Sequence, residues 1–404
     1  MKNHYGPTLG ISEEIHSMKY RSEGETFTEA MTRVAEALKD DEAHFNNFRT
    51  ILYNQRFLPA GRVQSAMGAP RTVTPYNCFV SGTIPDSMGG ITGAVGEAAR
   101  TMQLGGGIGY DFSTIRPYGA HIKSLDSKSS GPLSFMGIFD ATCKTIASAG
   151  HRRGAQMAVM RVDHPDIEKF IRAKNNDTEL TQFNMSVGVT DKFMAAVKAN
   201  TDFDLVFEGT VYSTINARAL WDDILRSTWD WAEPGILFID RINRKNNLHY
   251  CEHIAATNPC GEQPLPPYGA CLLGSFNLAQ YVQMTPEGNY SFNMQMLKND
   301  IPHVVRAMDN VVDKATYPLP QQEKQAKDTR RMGLGVTGVA NAIESMGHEY
   351  GSDDFIHWLE KIMGVIRDGC YMTSISLAVE KGKFPLYDDK YLDSEFAQTL
   401  PLSI

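Results

Sequence analysis

Apolar residues recur at helical spacing near the N-terminus, at Phe27, Met31, Val34 and Leu38. Thr26 followed by Glu29 forms the start of a capping box just ahead of that run. The first 50 residues therefore read as helical, and residues 1–55 are expected to be a small helical N-terminal extension packed on the main body. From 57 to 150 the texture changes to short apolar runs divided by glycine. Asn77-Cys78-Phe79-Val80 predicts a strand, Gly105 to Gly109 a backbone-rich loop, and Arg116-Pro117-Tyr118-Gly119 a turn. A helix is predicted over Phe135–Ala149 and a strand over Met157–Val162. A second helix begins at His164-Pro165-Asp166 and includes Ile167, Phe170 and Ile171.

Leu220, Trp221, Ile224, Leu225 and Trp229 predict an amphipathic helix near 217–232, with the strand Ile236–Ile239 after it. The segment 254–280 is rich in proline, glycine and cysteine. Helices return at about 301–313, 353–367 and 371–381. Strands that alternate with helices favour an α/β class. No linker, short repeat or low-complexity tract divides the chain, so residues 56–404 are expected to form one catalytic body.

Composition narrows the function classes. The chain has 404 residues, 42% of them hydrophobic, which is ordinary for a globular protein. Lys and Arg number 39 against 47 Asp and Glu, a net charge of −8. That balance speaks against a general nucleic-acid binder but leaves room for a local nucleotide pocket. No stretch of about 18 residues is apolar and uncharged, so no membrane span is expected. Met1–Arg21 is polar, with His4, Glu13 and Glu14, and lacks the apolar core of a secretory signal. The six cysteines, at 78, 143, 251, 260, 271 and 370, are too sparse for a disulfide scaffold. A cytoplasmic protein with reduced thiols is expected, in which any disulfide belongs to a catalytic cycle.

Two glycine motifs carry different weight. Gly333-Leu334-Gly335-Val336-Thr337-Gly338 matches G-x-G-x-x-G, but that motif needs a strand before it and an acidic residue after it. Lys327–Met332 is a poor strand, so close packing or a turn is the better reading. Gly105 to Gly109 is the better candidate for backbone contact with a substrate, with a structural turn as its alternative. Arg152 and Arg153, between Gly150 and Gly154, could fork onto phosphate oxygens or a base edge, and a solvated turn would look the same.

The strongest local feature is Asn258-Pro259-Cys260-Gly261-Glu262, with Cys271 in Cys271-Leu272-Leu273-Gly274-Ser275-Phe276-Asn277-Leu278. Cys251, Cys260 and Cys271 lack the short paired spacing of structural zinc sites. A thiolate hydrolase needs a base within reach of the sulfur, and none stands in a local motif. Glu262, if ionised, would oppose ionisation of Cys260. It does not oppose a neutral thiol that gives up a hydrogen atom, and such a route would need Cys260 buried beside a carboxylate and an amide.

With those residues in view, the sequence resembles the catalytic subunit of the ribonucleotide reductases. The matching stretches are Thr74 to Cys78, Gly105 to Gly109, Arg152 to Ala155, Asn258 to Glu262, Cys271 to Leu278 and Arg330 to Gly338, in family order. The resemblance implies the first part of a ten-stranded α/β barrel with a central finger loop. It implies that Cys260 is the transient thiyl radical that takes the ribose 3′ hydrogen, that Glu262 takes the 3′ hydroxyl proton and that Asn258 holds the sugar hydroxyls. Cys78 and Cys271 would supply the reducing equivalents and close into a disulfide. That closure requires Cα atoms about 4.4–6.8 Å apart.

By the same resemblance, Asn77, Gly106, Gly107, Arg152 and Arg153 are expected at the substrate, the two arginines coupling effector to substrate. Asp86, Ser87, Arg116 and Lys123 are expected to bind a deoxynucleotide or ATP effector near a homodimer interface. The run Arg161–Ile167 and the phrase around Cys260 look like the adenosylcobalamin-dependent branch; a radical from a separate metal-containing subunit is the alternative. The substrate is a ribonucleoside diphosphate or triphosphate, and an external dithiol reductant would renew the cysteine pair. The chain reaches Leu402-Ser403-Ile404 where the family's barrel enters its second half. The later phosphate loop and the C-terminal cysteine pair are therefore expected from a complementing C-terminal polypeptide or from the rest of a longer chain.

Overall fold

The structure is a computed structural model that describes residues 5–146, 154–175, 178–401 and 404. Among these residues the largest sheet is a curled α/β arc. Five parallel strands follow in the order Gly235–Phe238, Phe183–Val189, Gln156–Arg161, Gly107–Asp111 and Cys78–Val80. Parallel neighbours need crossovers. The helices Met88–Gln103, Gly131–Thr145, Ile167–Ile171 and Ala217–Trp231 lie in these connections.

Beyond Cys78–Val80 the direction reverses, because Ala270–Cys271 runs antiparallel to it. The same chain resumes as Leu273–Asn277, antiparallel to Phe57–Pro59 and parallel to Gly333–Thr337. The fold is thus the curled half of a barrel, as the resemblance implies.

Side chains alternate across this sheet with the period of two that a strand imposes. Ala158 and Met160 face outward with Ile108, Tyr110, Phe183, Met185 and Val187, under the helices. Met157 and Val159 face inward, in one cluster with Cys78, Val80, Cys271, Ala256 and Leu265. Both faces are apolar because both are covered.

A hairpin covers the inner face, with Ala256–Thr257 paired to Pro264–Leu265. It fits because the strand beside it presents glycines at 107 and 109. A Cβ on Gly109 would lie 1.8 Å from the Thr257 carbonyl oxygen, and one on Gly107 would lie 2.8 Å from Cγ of Pro259. The glycine run expected as a loop is therefore mostly a strand, Gly107–Asp111, whose missing Cβ atoms make a groove.

The N-terminal helices are Gly10–Tyr20, Phe27–Leu38 and Glu42–Tyr53. The Thr26–Glu29 capping box is formed in both directions. Phe27, Met31, Val34 and Leu38 share a core with Val304, Val305, Met308 and Val311 of the helix Met294–Lys314 and with Ile362 and Ile366 of the helix Asp353–Lys381. The region expected as 1–55 thus shares its core with helices from the far end of the chain.

Other boundaries differ from expectation. The two predicted helices over 353–381 are one, and the helix predicted from 301 begins at Met294 with Pro302 inside it. Packing of its apolar face outweighs the local cost of the proline. Gly333–Thr337 is itself a strand, and Gly338, at φ +69°, opens the helix Val339–Ser345. The G-x-G-x-x-G run therefore lies within the sheet and its turn.

Gly109→Ala is expected to cost at least about 1–3 kcal/mol, because its Cβ meets backbone and not a movable side chain. Gly137→Ala, in a helix with nothing within 4 Å, is expected to stabilise by about 0.5–1 kcal/mol. Urea denaturation of both variants checks the contrast; equal effects would remove the steric argument.

Candidate active site

The hairpin closes through its own polar groups. Asn258 N–H donates to the Gln263 carbonyl at 3.1 Å, and Gln263 N–H donates to Asn258 Oδ1 at 2.9 Å. Gly261 N–H donates to the Asn258 carbonyl at 3.1 Å. Gly261 has φ +82°, the left-handed region that glycine enters without a Cβ penalty. This reversal puts Cys260 at the tip and Glu262 just beyond, both exposed, with Asn258 fully buried beneath them. From the wall, Asn184 Nδ2 donates to the Pro259 carbonyl at 2.7 Å. Asn184 carries no sequence motif, and its inward position follows only from knowing that Phe183–Val189 is a strand.

Cys78 and Cys271 are direct cross-strand partners. Val80 N–H donates to the Gly269 carbonyl at 2.9 Å, which marks that pair as hydrogen-bonded. The alternation of an antiparallel ladder makes Cys78 and Cys271 a hydrogen-bonded pair too, with Cα atoms about 5.5 Å apart. That spacing is within the range a disulfide accepts, about 4.4–6.8 Å. Both side chains are buried, and no disulfide joins them here. Burial, followed by the neighbouring Cys78, Glu262 and Cys260, pushes the Cys271 thiol well above its ordinary pKa. Cys271 therefore stays protonated at neutral pH. Its sulfur lies within electrostatic reach of the other three groups, although Cys78 and Cys260 are far apart in sequence.

Two buried amide atoms near these residues have no hydrogen-bond partner, Asn258 Nδ2 and Asn77 Oδ1. An unmet buried polar atom costs about 1–3 kcal/mol, so such atoms point to a ligand or solvent group that completes them. Asn258 Nδ2 is a donor and suits a hydroxyl oxygen; Asn77 Oδ1 is an acceptor.

The other expected residues divide. Gly106 N–H donates to Thr101 O at 3.0 Å and Gly107 N–H to Asn77 O at 2.9 Å. Both N–H groups are thus used within the fold, and Gly107 also makes room for Pro259. Asp86, Ser87 and Arg116 do gather. Arg116 Nε meets Asp86 Oδ2 at 2.6 Å, and Ser87 Oγ accepts from Gly90 N–H at 3.1 Å, capping the helix Met88–Gln103. Arg116 is thus engaged by a carboxylate here. Lys123 is exposed in the hairpin of His121–Ile122 and Ser127–Lys128. Arg152 and Arg153 lie outside the described residues.

Cys260 does not have the burial that a hydrogen-atom route needs. The arc of strands ends at Gly235–Phe238 and Gly333–Thr337, so it encloses the hairpin on one side and leaves the tip open.

Residues 76–400 match the family description "Ribonucleotide reductase, barrel domain". The chain belongs to the ribonucleotide reductase family. It is 38% identical over 357 residues to a vitamin B12-dependent ribonucleoside-diphosphate reductase of Mycobacterium tuberculosis (strain CDC 1551 / Oshkosh), a match covering 88% of this chain and 50% of the relative. The relative of the same name in Thermoplasma acidophilum is 36% identical over 366 residues, 90% of this chain and 47% of its own length. The large subunit of the vaccinia virus ribonucleoside-diphosphate reductase is 27% identical over 355 residues, 80% of this chain and 45% of that protein. The chain spans about half the length of these reductases.

Mild oxidation of the folded reductase chain is expected to join Cys78 to Cys271 and no other pair. Peptide mapping under non-reducing conditions reads this directly; both cysteines still alkylatable after oxidation would contradict the register.

Proposed function

We propose that this chain carries the radical chemistry that reduces ribonucleotides to deoxyribonucleotides and so supplies DNA precursors. The observation that supports this reading best is the cross-strand Cys78–Cys271 pair beside a hairpin that presents Cys260 and Glu262. Cys260 gives up its hydrogen atom and, as a thiyl radical, takes the 3′ hydrogen of the ribose. Glu262 takes the proton of the 3′ hydroxyl, and the unpartnered Nδ2 of Asn258 donates to a sugar hydroxyl. The 2′ hydroxyl leaves as water with a proton from one thiol of the pair. Two electrons from Cys78 and Cys271 reduce C2′ as their sulfurs join in a disulfide. The C2′–O bond becomes C2′–H with the hydrogen of the second thiol, two thiols become one disulfide, Glu262 returns the proton to the 3′ oxygen, and Cys260 returns its hydrogen atom to C3′. The raised pKa of Cys271 keeps it a proton and electron donor instead of a wandering thiolate. An external dithiol reductant then reopens the disulfide.

The open side of the hairpin fits a bulky radical source, because it leaves the Cys260 sulfur exposed with Asn184 and Glu262 alongside. Adenosylcobalamin, when bound, supplies a carbon-centred radical by homolysis of its cobalt–carbon bond. The names of the vitamin B12-dependent relatives favour that source over a separate metal-containing subunit. Asp86, Ser87, Arg116 and Lys123 are proposed as part of a nucleotide effector site near a homodimer interface, and Arg152 and Arg153 as residues that couple the effector to the substrate.

A complementing C-terminal polypeptide is proposed to pair with the open edge strands and to enclose Cys260. The exposure of Cys260 and Glu262 favours a second reading for these 404 residues by themselves, a noncatalytic nucleotide-binding or assembly module. Among the described residues no helix is long and apolar enough to cross a membrane, and a cytoplasmic location is proposed.

The test is a reductase assay with the complementing polypeptide and adenosylcobalamin, using ribonucleoside diphosphate and triphosphate in parallel. Cys260→Ser is expected to abolish turnover while nucleotide binding persists, and Glu262→Gln to slow it by about 10²–10⁴-fold. Undiminished turnover by Cys260→Ser would overturn the mechanism; nucleotide binding without turnover in the parent protein under all conditions would favour the module.

A further inference from the structure

Asn184 stands at the second position of the strand Phe183–Val189. Phe183, Met185 and Val187 point outward into the helix-covered core, so Asn184 points inward by the period of two. There it is exposed, on a wall otherwise lined by small or apolar groups, and its Nδ2 reaches the Pro259 carbonyl at 2.7 Å. A carbonyl only accepts, so this contact fixes which end of the amide faces the hairpin and turns Oδ1 away from it.

Pro259 has no N–H, and its carbonyl is the single backbone group through which it can be held. That carbonyl belongs to the peptide plane it shares with the nitrogen of Cys260. Holding the plane sets the direction in which the Cys260 Cα–Cβ bond leaves the backbone. The other hydrogen bonds at the tip, Gly261 to Asn258 and Asn258 to Gln263, stay within the hairpin and do not tie it to the wall. The ring of the buried Pro259 rests over Gly107, which fixes its depth. Asn184 adds a directional bond to that contact.

We propose that Asn184 is a positioning residue for the Cys260 sulfur. Its effect on turnover rests on the reading of Cys260 as the radical carrier; its effect on the thiol does not. Asn184→Asp keeps the shape and the acceptor oxygen but loses the donor, and its charge repels the Pro259 carbonyl. Asn184→Ala loses both. The two variants separate a donor role from an acceptor role toward substrate.

The experiment uses the full chain with Cys251→Ser, since Cys251 is the other exposed thiol. Iodoacetamide alkylation of Cys260 is followed by peptide mass, amide hydrogen exchange at Cys260 and Gly261 is measured, and kcat and KM are determined in the complemented assay. Both variants are expected to alkylate Cys260 several-fold faster and to exchange faster at the tip, with an unchanged urea midpoint. In turnover, kcat is expected to fall roughly tenfold at constant KM, the scale of one lost hydrogen bond. Wild-type alkylation and exchange in Asn184→Asp would overturn the proposal. So would a raised KM with unchanged kcat in Asn184→Ala alone, which marks a substrate contact. Faster alkylation in variants of a protein that never turns over would support the positioning role and count against the reductase reading.

Discussion

A side chain at residue 109 would put its Cβ 1.8 Å from the carbonyl oxygen of Thr257, and the candidate site depends on that side chain being absent. Parallel strands with both faces covered ordinarily pack side chains against side chains. Here one strand gives up its inward side chains at Gly107 and Gly109, and a two-stranded hairpin lies in the space. The hairpin carries Asn258, Cys260 and Glu262 as a unit, so one steric vacancy sets the depth of three chemical groups. Met157, Val159, Ala256 and Leu265 fill the remainder of the inner face and keep the hairpin's root dry.

The second constraint is the register between Cys78–Val80 and Ala270–Cys271. A slip of one residue would turn one sulfur to the opposite face of the sheet and leave the other without its partner. The register is specified because the alternate residue, Phe79, is buried in a different core with Phe57, Phe276 and Leu272. Hydrophobic sorting on the outside of the sheet therefore aligns two thiols on the inside. Burial then keeps Cys271 protonated, so the pair can wait as thiols until oxidation is coupled to a reaction.

Much of this was legible in the sequence, and the rest failed for identifiable reasons. The N-terminal helices declared themselves through the Thr26–Glu29 box and the 3.6-residue repeat of Phe27, Met31, Val34 and Leu38. Asn258 to Glu262 and the two site cysteines stood out as motifs in family order. The role of Gly105 to Gly109 did not, because a glycine that admits a ligand and a glycine that admits another part of the chain look the same until the hairpin is placed. The strand Phe183–Val189 was missed, and Asn184 with it. One exposed amide in the run Phe183-Asn184-Met185-Ser186-Val187 has no local signature; its meaning comes from a carbonyl 75 residues away. The helix expected at about 301–313 spans Met294–Lys314, because tertiary packing carries it through Pro302. The burial expected of Cys260 concerned an enclosed barrel, and the strands here form an open arc.

In the proposed reaction the electrons for reduction come from Cys78 and Cys271, beside the Cys260 tip. A single-turnover experiment in the complemented, pre-reduced protein, without external dithiol, tests it most directly. Deoxynucleotide and Cys78–Cys271 disulfide are expected in equal amounts, with turnover stopping there. Deoxynucleotide formed while both thiols remain free would contradict it.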